Sequence, residues 1–395
     1  MGFEKEFDIQ LARLETPACQ KIIHFNNAGA SLMPEPVLNT LINHLKLEAN
    51  VGGYEAAAKE KDRIESVYDT IASLIHSKRE ELAIIENATR AWDMAFYSIP
   101  FKTGDRILTA QAEYASNFIA YLQLSRKIGI KIDVIPNDEH GQVSIEALEE
   151  MIDDDVKLIS ISHIPTNNGL VNPAIDIGKI ANDFNILYLL DACQSVGQVP
   201  IDVQKIGCDM LSATGRKYLR GPRGTGFLYM RLERIREFEP PFLDLHAAEW
   251  ISEDRYKIRP DARRFENWES YIAGKLALAE AANYAMKWGL ENIWKRILAL
   301  SKKFRSELSQ IPNVRVQDIG VTKCGIVTFT IQGKEPNFIK KSLNEQGINV
   351  SISSKESTRL DMESRSLDAV IRASIHYFNT EDEIKRFCDV IESLV

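Results

Sequence analysis

No stretch of the chain approaches the roughly 18 consecutive apolar residues of a membrane span, although 45% of its 395 residues are hydrophobic. Cysteine is sparse: Cys19, Cys193, Cys208, Cys324 and Cys388 are odd in number and form no C-x-x-C. That argues against a disulfide framework or a zinc site and for reduced thiols in a cytoplasmic protein, with no metal expected. Positive charge is in deficit, 48 Lys and Arg against 56 Asp and Glu for a net −8, so binding to nucleic acid through bulk charge is not expected. Internal repeats, low-complexity tracts and long Gly/Ser/Pro linkers are absent. The opening MGFEKEFDIQLARLE mixes acids and bases without an apolar centre, unlike a secretory signal. There is no Walker A loop, G-x-S-x-G elbow or H-E-x-x-H pair, and GPRGTG (221–226) precedes a strand and lacks the dinucleotide-binding spacing.

What is present is a rhythm. Residues 1–20 read as a short helical arm, Pro34 and Pro36 open a helix to about residue 50, and residues 55–76 carry apolar positions at helical spacing. Strands at 82–86, 106–110, 131–136, 157–163 and 186–191 then alternate with helices at 88–99, 116–128, 144–152 and 175–184, and further strands follow at 210–214 and 226–230. Such alternation implies crossover connections and a mostly parallel sheet flanked by helices. Near residue 265 the pattern changes to a long helical region (about 269–310), a few strands and a final helix. The expectation is therefore an N-terminal arm (1–20), a large α/β domain (21–265) and a smaller C-terminal α+β domain (266–395).

In open parallel sheets ligands bind beyond the carboxyl ends of the strands. After the first strand come Ala88 and Thr89, opening a helix, a place suited to a phosphate as well as to an ordinary cap. After the second comes Tyr114, an aromatic that could stack on a planar ligand or simply pack. His163 follows the fourth. Asp191 and Gln194 follow the fifth, and an acid ending so apolar a strand needs a positive partner. Thr214, Arg216 and Lys217 follow the next; alone, Lys217 reads as part of a solvated basic loop. One ligand accounts for all five strand ends: a phosphorylated, aldehyde-bearing pyridine. Pyridoxal 5′-phosphate needs a helix N-terminus, a stacking face, a carboxylate for the ring nitrogen and a lysine amine.

The stretch LYLLDACQSVGQVPIDVQKIGCDMLSATGRKYLRGPRGTGFLY (187–229) resembles the class V aminotransferase family of fold-type I pyridoxal-phosphate enzymes, and the similarity runs from about Phe25 to near the C-terminus. The resemblance implies that Lys217 is the Schiff-base lysine, that Asp191 pairs with the pyridine nitrogen and that Gln194 bonds the ring's 3′ oxygen. It puts Ala88, Thr89, Thr214 and Arg216 at the phosphate, and Tyr114, followed by Asn117, at the ring face. It places Arg372 at the substrate α-carboxylate and Asn27, in FNNAGAS, at the substrate side; His163 is a cofactor-rim candidate from its strand-end position alone. It also implies a homodimer with active sites at the subunit interface, residues 52–54 and Trp268 being candidates to reach across.

Three departures stand out. Tyr114 and Arg216 occupy positions that are often histidine in the desulfurase branch. That branch also carries a sulfur-accepting cysteine, and SISSKESTRLDMESRSLD (351–368) contains none. The expected activity is accordingly a C–S β-lyase acting on a cysteine conjugate or its sulfoxide. The alternatives are an aminotransferase or epimerase of the same family, or a catalytically inactive binding protein with this fold.

Overall fold

The computed structural model describes residues 7–395; residues 1–6 of the expected arm lie outside the described residues, and its remainder forms the helix Ile9–Leu14 and a 3-10 turn, Pro17–Gln20. A seven-stranded sheet forms the centre, in the order Leu82–Ile85, Gly226–Met230, Met210–Thr214, Leu187–Asp191, Val156–Ser162, Arg106–Ala110, Lys131–Ile135. Every strand but Gly226–Met230 runs the same way. That strand is reached by a loop rather than a crossover helix, and only an antiparallel return can be closed so directly. The α/β expectation holds.

Side chains alternate across the sheet. Tyr188 and Leu190 enter one core cluster, Leu187 and Leu189 the other, so this strand is buried at every position, as a doubly covered parallel strand must be. Asp191 therefore shares the face of Leu189, the face covered by the helices Ala88–Ser98 and Ala115–Ile128.

The expected long helix breaks at Gly289, whose φ of 82° ends one helix and starts the next. Its first half, Ile272–Trp288, packs on Glu35–Val51 and Lys61–Ile75. The second, Leu290–Gln310, covers a four-stranded antiparallel sheet in the order Val314–Val316, Ile326–Ile331, Ala369–Ser374, Ser351–Ser354. The segment from residue 23 joins this sheet's neighbourhood: Ile23–His24 pairs in parallel with Ile348–Asn349, and Asn26 bridges Ser374. An unpredicted hairpin, Ala248–Ser252 with Arg255–Ile258, stands at the surface with Trp250 and Tyr256 exposed. No helix among the described residues is long and apolar enough to cross a membrane.

Candidate active site

The loop between Met210–Thr214 and Gly226–Met230 carries Arg216 and Lys217. It folds back on itself, the Gly221 amide donating to the Gly215 carbonyl (2.7 Å) and the Arg220 amide to the Lys217 carbonyl (2.9 Å). Arg220 pins the loop. Fully buried and at a φ of 64°, it donates to the Leu32 carbonyl (2.8 Å), the Thr16 hydroxyl and the Tyr377 hydroxyl, and its guanidinium lies 4.5 Å from the Phe378 ring. The side-chain amine of Lys217, which is half-buried, has no hydrogen-bond or ion-pair partner among the described residues. Burial lowers its pKa, and Arg216 and Arg372 push the same way against Cys193 and Asp191. Desolvation disfavours the ammonium, so the amine is drawn toward its neutral, nucleophilic form.

Asp191 lies on the same side of the sheet edge. Its Oδ1 accepts the Cys193 amide (2.9 Å) and its Oδ2 accepts Asn117 Nδ2 (3.1 Å). Gln194 donates to the Ala28 carbonyl (3.2 Å), while its buried Oε1 has no partner among the described residues. At the helix Ala88–Ser98, Asn87 takes the Arg90 amide (2.9 Å), and the amides of Ala88 and Thr89 have no acceptor among the described residues. Such free donors form an anion-binding end. Gly226 passes so close that a side chain there would lie 3.1 Å from the Ala88 nitrogen. Thr214 is buried beside it, its hydroxyl donating to the Thr225 carbonyl (3.3 Å).

Arg372 reaches this group from the C-terminal sheet, donating to Ser351 Oγ (3.0 Å) and to the Thr166 hydroxyl and carbonyl. Burial draws its pKa down to about 10, and its electrostatic neighbours include Tyr218, Arg216 and Tyr114. Tyr114 is 39% exposed at the head of Ala115–Ile128. Arg216 donates to the Gly29 carbonyl and accepts the Ser31 amide through its own carbonyl, closing the 25–31 turn over the site.

Two candidate residues are placed differently. The amide of Asn27 is committed to the fold: Nδ2 donates to the His24 and Ser374 carbonyls and Oδ1 accepts the Ser31 hydroxyl. It holds the turn rather than presenting a free group. His163 follows Ser162, which faces Glu113 on the Asp191 side; strand alternation sends His163 to the other face. There it borders a separate cavity of about 390 Å³ with Pro173 and Val199. Burial alone lowers its pKa, to about 4. Its ring is not among the converging groups; only its amide touches them, donating to the Asp191 carbonyl (3.0 Å). Tyr54 and Trp268 line another cavity, of about 520 Å³, with Arg263 and Lys275.

Sequence reasoning missed Glu113, Arg220 and Cys193. Glu113 precedes the recognised Tyr114 by one residue, and Cys193 lies inside D-x-x-Q; proximity to those motifs was the available signal. For Arg220 there was none, because its partners at Thr16, Leu32 and Tyr377 are remote in the chain.

Together these residues fit a phosphorylated pyridine aldehyde: an unpartnered amine, a carboxylate, an orphaned buried amide oxygen and a helix end with free amides. A lysine-bearing loop and a carboxylate at the carboxyl edge of such a sheet define a fold-type I pyridoxal-phosphate-dependent enzyme. The chain belongs to the aminotransferase class-V family, whose sequence pattern matches residues 23–387. It is 28% identical over 392 residues to a "probable cysteine desulfurase" of Methanothermobacter thermautotrophicus, covering 97% of each chain. It is likewise 28% identical over 389 residues to one of Pyrococcus abyssi, covering 97% of this chain and 96% of that one. Its structure is similar to that of an apo cysteine desulfurase from Thermococcus onnurineus NA1, with a TM-score of 0.92, 27% identity and 98% of each chain covered.

Proposed function

We propose that this enzyme cleaves the C–S bond of a cysteine conjugate or its sulfoxide and, with uptake of one water, releases pyruvate, ammonia and a thiol or, from the sulfoxide, a sulfenic acid. When bound, the cofactor supplies the electron sink for the α-carbanion. Lys217 supplies the amine that links to it and then moves the substrate's α-proton, a task suited to a desolvated lysine. Asp191 holds the proton on the ring nitrogen, and Gln194 bonds the 3′ oxygen. The amides of Ala88 and Thr89, with Thr214 and Arg216, take the phosphate, and Tyr114 covers the ring. Arg372, braced by Ser351 and Thr166, takes the α-carboxylate. Asn27 supports this substrate side by holding the 25–31 turn. Two such chains pair as a homodimer in the same reading.

The observation that carries the reaction is the absence of an available thiol. Segment 351–368, which leads from the strand that braces Arg372, has no cysteine. Cys193 is the thiol beside Lys217, and burial, with Asp191 adding to it, pushes its pKa well above the ordinary thiol range. A protonated thiol is a poor sulfur acceptor. The names of the relatives favour a second reading, sulfur removal from cysteine. Incubating the cofactor-loaded protein with S-alkyl cysteines, their sulfoxides and cysteine separates the two. Pyruvate with released thiol is expected. Alanine with enzyme-bound sulfur establishes desulfuration instead, and keto-acid exchange without pyruvate establishes an aminotransferase.

A further inference from the structure

Glu113 is a carboxylate the proposed chemistry leaves unused. It is 3% exposed, forms no ion pair among the described residues and is ringed by donors. Oε1 accepts the Tyr114 amide (2.8 Å), Asn117 Nδ2 (2.9 Å) and the Ser162 hydroxyl (2.6 Å). Oε2 accepts the Ser162 amide (2.9 Å), with the Thr109 hydroxyl at 3.4 Å. The same Asn117 nitrogen donates to Asp191 Oδ2. Two buried carboxylates thus share one amide group, which has a single proton for each.

We propose that Glu113 is a positioning residue for the cofactor: through Asn117 it orients Asp191, and its charge behind Asp191 strengthens the hold on the proton of the ring nitrogen. The inference rests on the cofactor reading and not on which bond is cleaved. The donors select a carboxylate here. A glutamine would turn an NH₂ toward Ser162 or Asn117, and Asn117 could satisfy it only by presenting its oxygen to Asp191. Such a reversal sets acceptor against acceptor in a buried site.

The electrostatics agree. Burial is the largest influence on Glu113 and Asp191 adds to it, while the Ser162, Asn117 and Tyr114 donors oppose, leaving its pKa at about 7. The groups facing it are Asp191 on its strand and Tyr121 on the helix, whose own pKa is pushed well up by burial and by Glu113. Neither carboxylate forms an ion pair among the described residues, although the Lys217 amine lies within electrostatic reach of Asp191. A proton on the cofactor's ring nitrogen is the missing positive charge, and by reciprocity it favours the Glu113 anion as much as that anion favours it. Cofactor binding is therefore strengthened as the pH rises through the titration of Glu113.

The test uses the full chain loaded with ¹⁵N-labelled pyridoxal phosphate. The ring-nitrogen chemical shift and the cofactor Kd are followed from about pH 5 to pH 8.5 in wild type, Glu113→Gln and Asn117→Ala. In wild type the shift is expected to move with Glu113. In Glu113→Gln the ring nitrogen is expected to lose its proton about one pK unit lower, the size of one partly buried charge nearby, with Kd about tenfold weaker above pH 7. Asn117→Ala leaves Glu113 its Ser162 and Tyr114 bonds and its charge, so it is the variant to read if Glu113→Gln fails to fold; the part carried through Asn117 is expected to be lost, a smaller displacement of the ring-nitrogen titration in the same direction. Ring-nitrogen titrations matching wild type in the folded variants overturn the proposal while leaving the cofactor reading intact. Failure of wild type to bind cofactor overturns both.

Discussion

Two lysines are drawn into the body of this chain, and they are kept there by opposite means. Lys275 is 7% exposed in the helix Ile272–Trp288, against the Tyr68 hydroxyl and 3.5 Å from Glu266. Glu266 is saturated in turn by both contacts of Tyr68, by the Ile84 amide (2.6 Å) and by His246 at 3.3 Å. Arg263 lies 3.6 Å from the Tyr68 ring centre. Burial lowers the pKa of Lys275, with Glu266 pulling back. The Lys217 amine is also lowered in pKa by burial but has no bonded partner among the described residues. A lysine whose charge is answered in place is part of the scaffold; a lysine whose charge is not answered is poised to react.

The largest break in that comparison is at Lys217. Lys217→Ala is expected to lower turnover by about 10³-fold or more, as loss of both nucleophile and base implies, and to abolish the cofactor's lysine-linked visible absorption. Cofactor-free stability is expected to hold or rise, because an uncompensated buried ammonium disappears. The pH sign follows. With its folded pKa below the ordinary lysine value, Lys217 binds fewer protons folded than unfolded, so its cost is full at low pH and fades as pH rises toward the ordinary lysine range. The stability difference between Lys217→Met and wild type, from urea melts at several pH values, should shrink upward through that window. A difference that grows with pH breaks the contrast.

Lys275→Met should do the reverse. It leaves Glu266 buried without its cation, an effect of about 3 kcal/mol, read by chemical denaturation. The visible absorption of the loaded protein and the position of its pH titration should persist. Loss of the absorption in a folded variant would make Lys275 part of the cofactor site and erase the distinction.

The difference between the two lysines also marks what the sequence could disclose. Lys217 was legible because its loop is local: an apolar strand, a threonine, the lysine and a glycine-rich return all lie within 210–226, and Asp191 and Gln194 close the strand just before them in the chain. The alternating strands and helices were legible for the same reason, since periodicity is a short-range signal. Lys275 was not, because Tyr68, 207 residues away, meets it only after the fold brings two distant helices together, even though Glu266 lies nine residues before it. His163 was assigned to the cofactor rim from its position after a strand, but side chains alternate, and its neighbour Ser162 takes the face that looks on Glu113 and Asp191. Arg220 reads in sequence as one more basic residue in a glycine-rich loop; Thr16, Leu32 and Tyr377 make it an anchor.

The smallest expected effect tests whether Lys217 is alone as the site's nucleophile. Cys193 sits between Asp191 and Gln194, and its backbone amide donates to Asp191 Oδ1. Burial first, and Asp191 next, hold the thiol protonated, while Lys217 and Arg216 pull weakly the other way. Because thiolate is the reactive form, alkylation by iodoacetamide near neutral pH should leave this residue unmodified by peptide mass analysis. Cys193→Ser keeps the backbone donor and nearly the same volume, so kcat/KM should stay within about twofold of wild type. A loss beyond about tenfold, with the cofactor's spectrum unchanged, would mean that the sulfur takes part in the reaction. The case against a sulfur-accepting thiol would then fail at the residue on which it most depends.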